Sequence, residues 1–312
     1  MRLLVTGASG LLGLNLALEA SKQHEVYGVV NQHLLNTTAF HVKQVDLLSP
    51  GAIEQILELT QPEWVIHCAA LANVDACESE PALAKQLNTT LPEELAKLVA
   101  KGGARLVHIS TDAVFDGSRG EYSELDVPNP LSIYARTKLE GERAVLAVYP
   151  QAIVARVNLF GWSLRGQRSL GEWFFNNLQA GKQMRGFTDV YFCPLLANHL
   201  AALLLIMLEK QLSGLYHVVS SECISKYAFG VEIARRFGFD ESLIVASSVT
   251  QAGLAAARSP KLTLQTSKLS FALGEPPPTL PEGIEGFFTL YRNGYPAMIR
   301  EMDVAGQSSK GE

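Results

Sequence analysis

A short apolar run at residues 2–6 breaks into Thr6-Gly7-Ala8-Ser9-Gly10-Leu11-Leu12-Gly13 and then a helical stretch ending at Ala20. Further apolar runs follow at 25–31, 41–46, 64–70, 105–111 and 152–157, with longer amphipathic stretches between them. The 64–70 run is apolar almost throughout, as in a strand covered on both faces. Ser49 before Pro50 reads as the cap of a helix with proline in its first turn. Residues 81–100 read as mostly helical, with Pro92 expected to kink or restart the helix. Residues 132–148 read as a helix carrying Ala135, Leu139, Glu142 and Val145 along one face. This alternation predicts an α/β fold, a doubly wound parallel (Rossmann) sheet that binds ligands at the C-terminal ends of its strands.

After Gly161 the rhythm breaks. Residues 170–178 look helical, and Trp173, Phe174 and Phe175 are expected in the core. Residues 195–208 form a strongly apolar helix and 215–219 another strand, both expected to return to the sheet. Ser225 caps a helix running to Phe237, the pattern is irregular from Ser242, Pro276-Pro277-Pro278 connects, and 283–292 forms a last helix. The division expected is a dinucleotide-binding domain at 1–160, with 194–220 returning to it. A smaller C-terminal substrate-binding lobe takes 161–193 and 221–300, and a polar, disordered tail takes 301–312. No internal repeat is found.

Composition narrows the class. With 312 residues, 47% of them hydrophobic, the core needs no disulfide or metal staple. A net charge of −5 argues against nucleic-acid partners. The run at 195–208 holds Asn198 and His199 and is too short to span a bilayer, so no membrane partner is expected. Cys68, Cys77, Cys193 and Cys223 form no CxxC pair, and all four are expected as free thiols in a reducing, cytoplasmic compartment. No secretory signal is read at residues 1–5, so Asn36-Thr37-Thr38 and Asn88-Thr89-Thr90 are taken as coincidental glycosylation patterns. His67 beside Cys68 reads as buried strand, because no second ligand pair has zinc spacing, and no metal is expected.

The chemistry lies in three places. Strand, glycine-rich turn and helix in succession make a dinucleotide site: Gly7, Ser9, Gly10, Leu11, Leu12 and Gly13 let backbone N–H groups approach a pyrophosphate at a helix N-terminus. The 105–111 strand ends in Ser110-Thr111-Asp112. Neighbouring strand residues point to opposite faces, so one hydroxyl of Ser110 and Thr111 faces the crevice. Tyr134 and Lys138, four apart, share one helix face. A phenol titrates near ~10, and an ammonium beside it favours the phenolate. Alone, such a pair is as readily two surface side chains; beside the other two features it reads as a proton donor.

In their order these features resemble an extended short-chain dehydrogenase/reductase. The segments Ser110-Thr111-Asp112-Ala113-Val114-Phe115-Asp116-Gly117, Asn129-Pro130-Leu131-Ser132-Ile133-Tyr134-Ala135-Arg136-Thr137-Lys138-Leu139-Glu140-Gly141-Glu142 and Asn73-Val74-Asp75-Ala76-Cys77-Glu78-Ser79-Glu80-Pro81 resemble the dTDP-4-dehydrorhamnose reductase family of sugar-nucleotide reductases. They are also similar to the non-catalytic regulatory subunit of methionine adenosyltransferase. The likeness runs to about Gly161 and more thinly through Gly214-Leu215-Tyr216-His217, Ser225-Lys226-Tyr227 and Ser267-Lys268-Leu269.

The resemblance implies that Thr111 bonds a substrate carbonyl, Tyr134 gives it a proton, and Lys138 holds the nicotinamide ribose and lowers the tyrosine pKa. It implies that Asn88 helps position that lysine. Asp46 and Leu47 follow the third strand, where related proteins bind adenine, and Ala69 and Ala70 leave room beside the cofactor. Asp46 could equally cap a turn.

Three departures bear on specificity. The second strand ends in Asn31-Gln32-His33, with no acid to repel a 2′-phosphate and no arginine between Arg2 and Arg105 to grip one. This leans to NADP over NAD and leaves use of both open. Ala113 stands where rhamnose reductases have tyrosine, so the sugar is open. The family tryptophan is absent from Arg156-Val157-Asn158-Leu159-Phe160-Gly161, with Trp162 as a possible substitute. The expectation is an NAD(P)H-dependent reductase of a 4-keto sugar nucleotide. The alternatives are an NADP-binding regulatory subunit without turnover and an epimerase that keeps its cofactor. Arg165, Arg168, Lys182, Arg185, Arg258 and Lys261 are candidates for a substrate diphosphate. An exposed apolar helix face would suit a homodimer or the core equally.

Overall fold

A computed structural model describes residues 1–249 and 259–304. Arg258 and residues 305–312 lie outside the described residues; residues 301–304, expected in a disordered tail, are instead packed on the fold, with Asp303 buried against Arg165. Seven strands form one parallel sheet: β1 (Arg2–Thr6), β2 (Glu25–Val30), β3 (His41–Gln44), β4 (Trp64–His67), β5 (Arg105–Thr111), β6 (Ile153–Val157) and the edge strand Gly214–Val218. Their spatial order is Gly214–Val218, β6, β5, β4, β1, β2, β3. The order reverses between β1 and β4, which run side by side with Thr6 opposite His67. A crevice opens at such a reversal beyond the carboxyl ends of the strands.

Alternation along the strands sorts side chains to two helical layers. Leu3, Val5, Ile66 and Val107 pack with α1 (Leu11–Ala20) and a helix at Ala197–Glu209. Leu4, Val65, Leu106 and Val154 pack instead with α2 (Ala52–Thr60), the helix Leu91–Gly102 and the helix Ile133–Val148. Beyond β6 the chain builds a smaller lobe from helices Leu170–Gln179, Lys226–Phe237 and Leu280–Arg292, with short strand pairs between them. Among the described residues, no helix is long and apolar enough to cross a membrane.

Several sequence expectations need correction. Ser49 does not cap α2: its cap position is Gly51, whose φ of +74° turns the chain before Ala52. Trp162 does not reach the crevice. It is fully buried, stacked on Phe287 at 4.0 Å, and gives its indole N–H to the Phe287 carbonyl at 3.0 Å. Phe174 and Phe175 are core residues, but Trp173 is 43% exposed. Cys193 and Cys223 form a disulfide across 30 residues, whereas Cys68 and Cys77 are free. The strand Ile224–Ser225 runs antiparallel to Tyr191–Phe192, with Ile224 opposite Phe192. That register continues one step to place 193 opposite 223, a pairing that two-residue strands leave invisible in the sequence.

Residues 81–100 are helical in three phases: Pro81–Lys85, a π-helical turn at Gln86–Thr90, and Leu91–Gly102 with Pro92 in its first turn. Pro92 restarts the helix because it has no N–H for the carbonyl four residues back, that of Asn88. Gly141 closes on that carbonyl from the helix Ile133–Val148. A Cβ at Gly141 would stand 2.1 Å from the Asn88 oxygen.

Candidate active site

At the head of the crevice, Gly7 takes φ +68° and lies so close to Ala69 that a Cβ would meet its backbone nitrogen at 2.8 Å. Gly13 allows α1 to lie on the loop: its Cβ would stand 2.2 Å from the Gly7 carbonyl oxygen. These two glycines are therefore required by the packing of the chain itself. Among the described residues, no side chain caps α1 and no acidic residue stands in its first turn. The amides that a helix start leaves without intrahelical partners remain for an anionic group.

A cavity of about 680 Å³ joins this loop to the other predicted residues. Gly7, Ser9, Gly10, Leu11, Leu12 and Gly13 line it, as do Asp46 and Leu47 beyond β3 and Ala69 and Ala70 beyond β4. Thr111, Tyr134 and Lys138 line the far end. The shape and the uncapped helix start suit a dinucleotide. Asp46 also makes a turn of its own, its Oδ1 accepting the Leu48 amide at 3.1 Å.

The helix that carries Tyr134 and Lys138 starts on a built foundation. Ser132 accepts the Ala135 amide at 3.2 Å, and Glu78, from the Asn73–Pro81 segment, accepts the Ile133 amide at 2.8 Å. Two orphan donors of the helix start are thereby satisfied. Asn88 is fully buried. It takes the Leu71 amide (2.9 Å) and donates to the Leu71 carbonyl and to Thr137 Oγ1 (both 3.1 Å). It touches Thr137 rather than Lys138, so it can act on the lysine only by seating the helix.

Thr111 faces the crevice, donating to Asp112 Oδ1 and accepting from the Ala113 amide, each at 3.2 Å. Ser110 points away into a buried ion pair: its hydroxyl donates to Glu142 at 2.5 Å, and Glu142 is clamped by Arg156 at 2.8 Å. The strand alternation read from the sequence separates the two hydroxyls as expected. Lys138 is buried and donates to the Ile109 carbonyl at 2.6 Å, with His108 Nε2 at 3.5 Å. Burial lowers its pKa to about 8, against the attraction of Glu142. His67 and His108 stack beneath it at 5.5 Å. Burial first, then Lys138, holds both imidazoles neutral, His67 at about 3.

One expectation reverses. Burial pushes the Tyr134 phenol up to about 12, with Asp112 adding to the rise and a hydrogen bond with Thr111 opposing it. Part of Tyr134 is open to the crevice, where water softens that rise. The lysine's charge is not among the groups that move the phenol. In this state Tyr134 holds its proton firmly.

Sequence reasoning missed one group here. Asp112 is buried, accepts from Asn158 Nδ2 at 2.6 Å, and is raised by burial to about 6 against its hydrogen bonds. Its place after Thr111 was a signal; that Asn158 closes on it from beyond β6 was not. Of the six cationic candidates read from the sequence, Arg168 lines the cavity with Asn31, Gln32 and His33. Of the other cationic candidates, Arg165 is taken by Asp303 at 2.8 Å. Lys182, Arg185 and Lys261 are exposed and do not line the cavity.

Comparison with known proteins adds the context. Residues 1–293 match the model of the RmlD substrate binding domain. A probable low-salt glycan biosynthesis reductase, Agl14, of Haloferax volcanii is 34% identical over 287 residues, covering 90% of this chain and 95% of that protein. Methionine adenosyltransferase 2 subunit beta of Bos taurus is 35% identical over 254 residues, covering 77% and 73%. Among solved structures, a dTDP-4-dehydrorhamnose reductase of Bacillus anthracis in complex with NADP superposes with a TM-score of 0.80 at 26% identity, covering 92% of this chain and 98% of that one.

Proposed function

This chain belongs to the RmlD substrate binding domain family, and on that footing we propose that it is an NADPH-dependent reductase of a 4-keto sugar nucleotide. The observation that carries the proposal is the convergence of Thr111, Tyr134 and Lys138 at one end of a cavity whose other end is the glycine loop. The Bacillus anthracis structure, with NADP bound, supports the choice of cofactor. In this reading the sheet half, 1–160 with 194–220, holds the cofactor, and 161–193 with 221–300 holds the sugar nucleotide.

Reducing a ketone needs a hydride, which a bound dihydronicotinamide supplies, and a proton, which the chain must supply. Thr111 donates a hydrogen bond to the carbonyl oxygen and orients it. Tyr134 releases its phenolic proton to that oxygen as alkoxide character develops. Lys138, fixed by Ile109, presents its ammonium to the ribose hydroxyls. Gly7 to Gly13 would hold the pyrophosphate through backbone N–H groups, and Asp46 and Leu47 would hold the adenosine. Asn88 is a positioning residue that acts through Thr137.

The experiment is a screen of NADPH and NADH oxidation against several 4-keto sugar nucleotides, with Tyr134→Phe alongside. Wild type should turn over at least one sugar, and the variant should lose that turnover while keeping its cofactor. A variant as fast as wild type would remove Tyr134 from the chemistry.

A second reading is a cofactor-binding regulatory subunit without turnover. The observation favouring it is the 35% identity with methionine adenosyltransferase 2 subunit beta. Wild type and Tyr134→Phe equally inactive on every sugar, both binding NADPH, would select it.

A further inference from the structure

The end of β2 offers Asn31, Gln32 and His33 to a dinucleotide, with neither the acid that reads a free ribose nor a neighbouring arginine. The fold brings an arginine there from 135 residues farther along the chain. Arg168 lines the same cavity as Asn31, Gln32, His33 and Asp46. His33 feels the charge of both Arg165 and Arg168, which, after burial, help keep its imidazole neutral.

Arg168 is held in place by its backbone. Glu172 is fully buried, and its carboxylate gathers the amides of Ser163 (2.6 Å), Arg168 (2.9 Å) and Ser169 (3.2 Å). The 163–169 turn is thus wound around one buried anion. A second lock ties this turn to the loop that follows β2. Arg165 pairs with Asp303, Asp303 bridges Leu35, and the Asn36 amide donates to the Met302 carbonyl at 2.8 Å. With its neighbour Arg165 committed to that lock, Arg168 alone of the pair keeps its guanidinium clear. Among the described residues it makes no ion pair or side-chain hydrogen bond, and it is exposed. A fixed backbone with an uncommitted planar fork is what bidentate phosphate recognition requires.

We propose that Arg168 grips the 2′-phosphate of NADP, with His33 beside it, and so sets the preference for NADP over NAD. This rests on the dinucleotide reading of the cavity. It departs from the usual device of an arginine just after the second strand, because this cation comes from beyond β6.

The test is calorimetric titration of the purified chain with NADP⁺ and with NAD⁺, in wild type, Arg168→Gln and Arg168→Lys. Circular-dichroism melts confirm that these exposed substitutions leave the fold intact. Wild type should bind NADP⁺ more tightly. Arg168→Gln should weaken NADP⁺ about tenfold or more and NAD⁺ less than twofold, with Arg168→Lys between. Equal losses for both dinucleotides would assign Arg168 to the pyrophosphate and overturn the proposal. So would no loss for either, or a wild type that binds NAD⁺ as tightly as NADP⁺. If wild type binds neither dinucleotide, the cofactor reading falls and takes this proposal with it, an outcome distinct from all the others.

Discussion

The two ends of the crevice are built differently. At the Tyr134 end the working groups are buried and already committed: Lys138 to Ile109, Asp112 to Asn158, Glu142 to Ser110 and Arg156. At the end beyond β2, Asn31, Gln32 and Arg168 stand exposed. Proton transfer demands atoms fixed in a low-dielectric setting before the substrate arrives, since any reorganisation adds to the barrier. Discrimination between two cofactors needs only a difference in affinity, which a single solvated cation can provide. The contrast teaches that substitutions at the first end should cost turnover or folding, and at the second only preference.

The sharpest way to break that contrast is Tyr134→Phe. Loss of a general acid costs about 10²–10⁴-fold in rate, read as NADPH oxidation on a sugar that wild type accepts. Next comes Glu142→Ala, which strands the Arg156 guanidinium in a site where both side chains are under 5% exposed. Losing one partner of a buried pair costs about 3–5 kcal/mol. Urea melts should show it, and an unchanged midpoint would mean that the pair is dispensable.

Asp112 offers a subtler test. Its pKa is raised from 3.8 to about 6. Between those values the folded protein keeps a proton that the unfolded chain has lost, so this group makes stability fall as pH rises through that window. The full effect is on the order of 3 kcal/mol. Urea melts across that range should lose this component of their slope in Asp112→Asn; an identical slope would show that Asp112 is not so perturbed. The smallest effect is expected for Ser132→Ala, where losing the cap under Tyr134 costs roughly 1 kcal/mol, seen as a lower melting temperature.

What was legible in the sequence was local. The glycine loop, the strand alternation that parts Ser110 from Thr111, and the Tyr134–Lys138 spacing all depend on neighbours a few residues apart. What was hidden depends on tertiary placement. Arg168 was one of six cations of equal standing until the 163–169 turn delivered it to the end of β2. The Cys193–Cys223 bond needed a register between two-residue strands. The direction of the Tyr134 shift was misjudged because proximity to Lys138 was visible and burial was not. Asn88 was expected to help position Lys138, and its hydrogen bond to Thr137 on the same helix was not visible in the sequence.

The π-helical turn at Gln86–Thr90 has one more implication. Each residue of a helix advances about 100° around its axis, so a single extra residue puts everything after it out of phase with everything before. The turn therefore sets the phase of Leu91–Gly102 against that of Pro81–Lys85, and Leu83 and Leu91, one on either side of it, both line the cavity. Loss of one residue within it would leave the composition almost intact, yet it should turn Asn88 off Thr137 and unseat the helix that carries Tyr134 and Lys138.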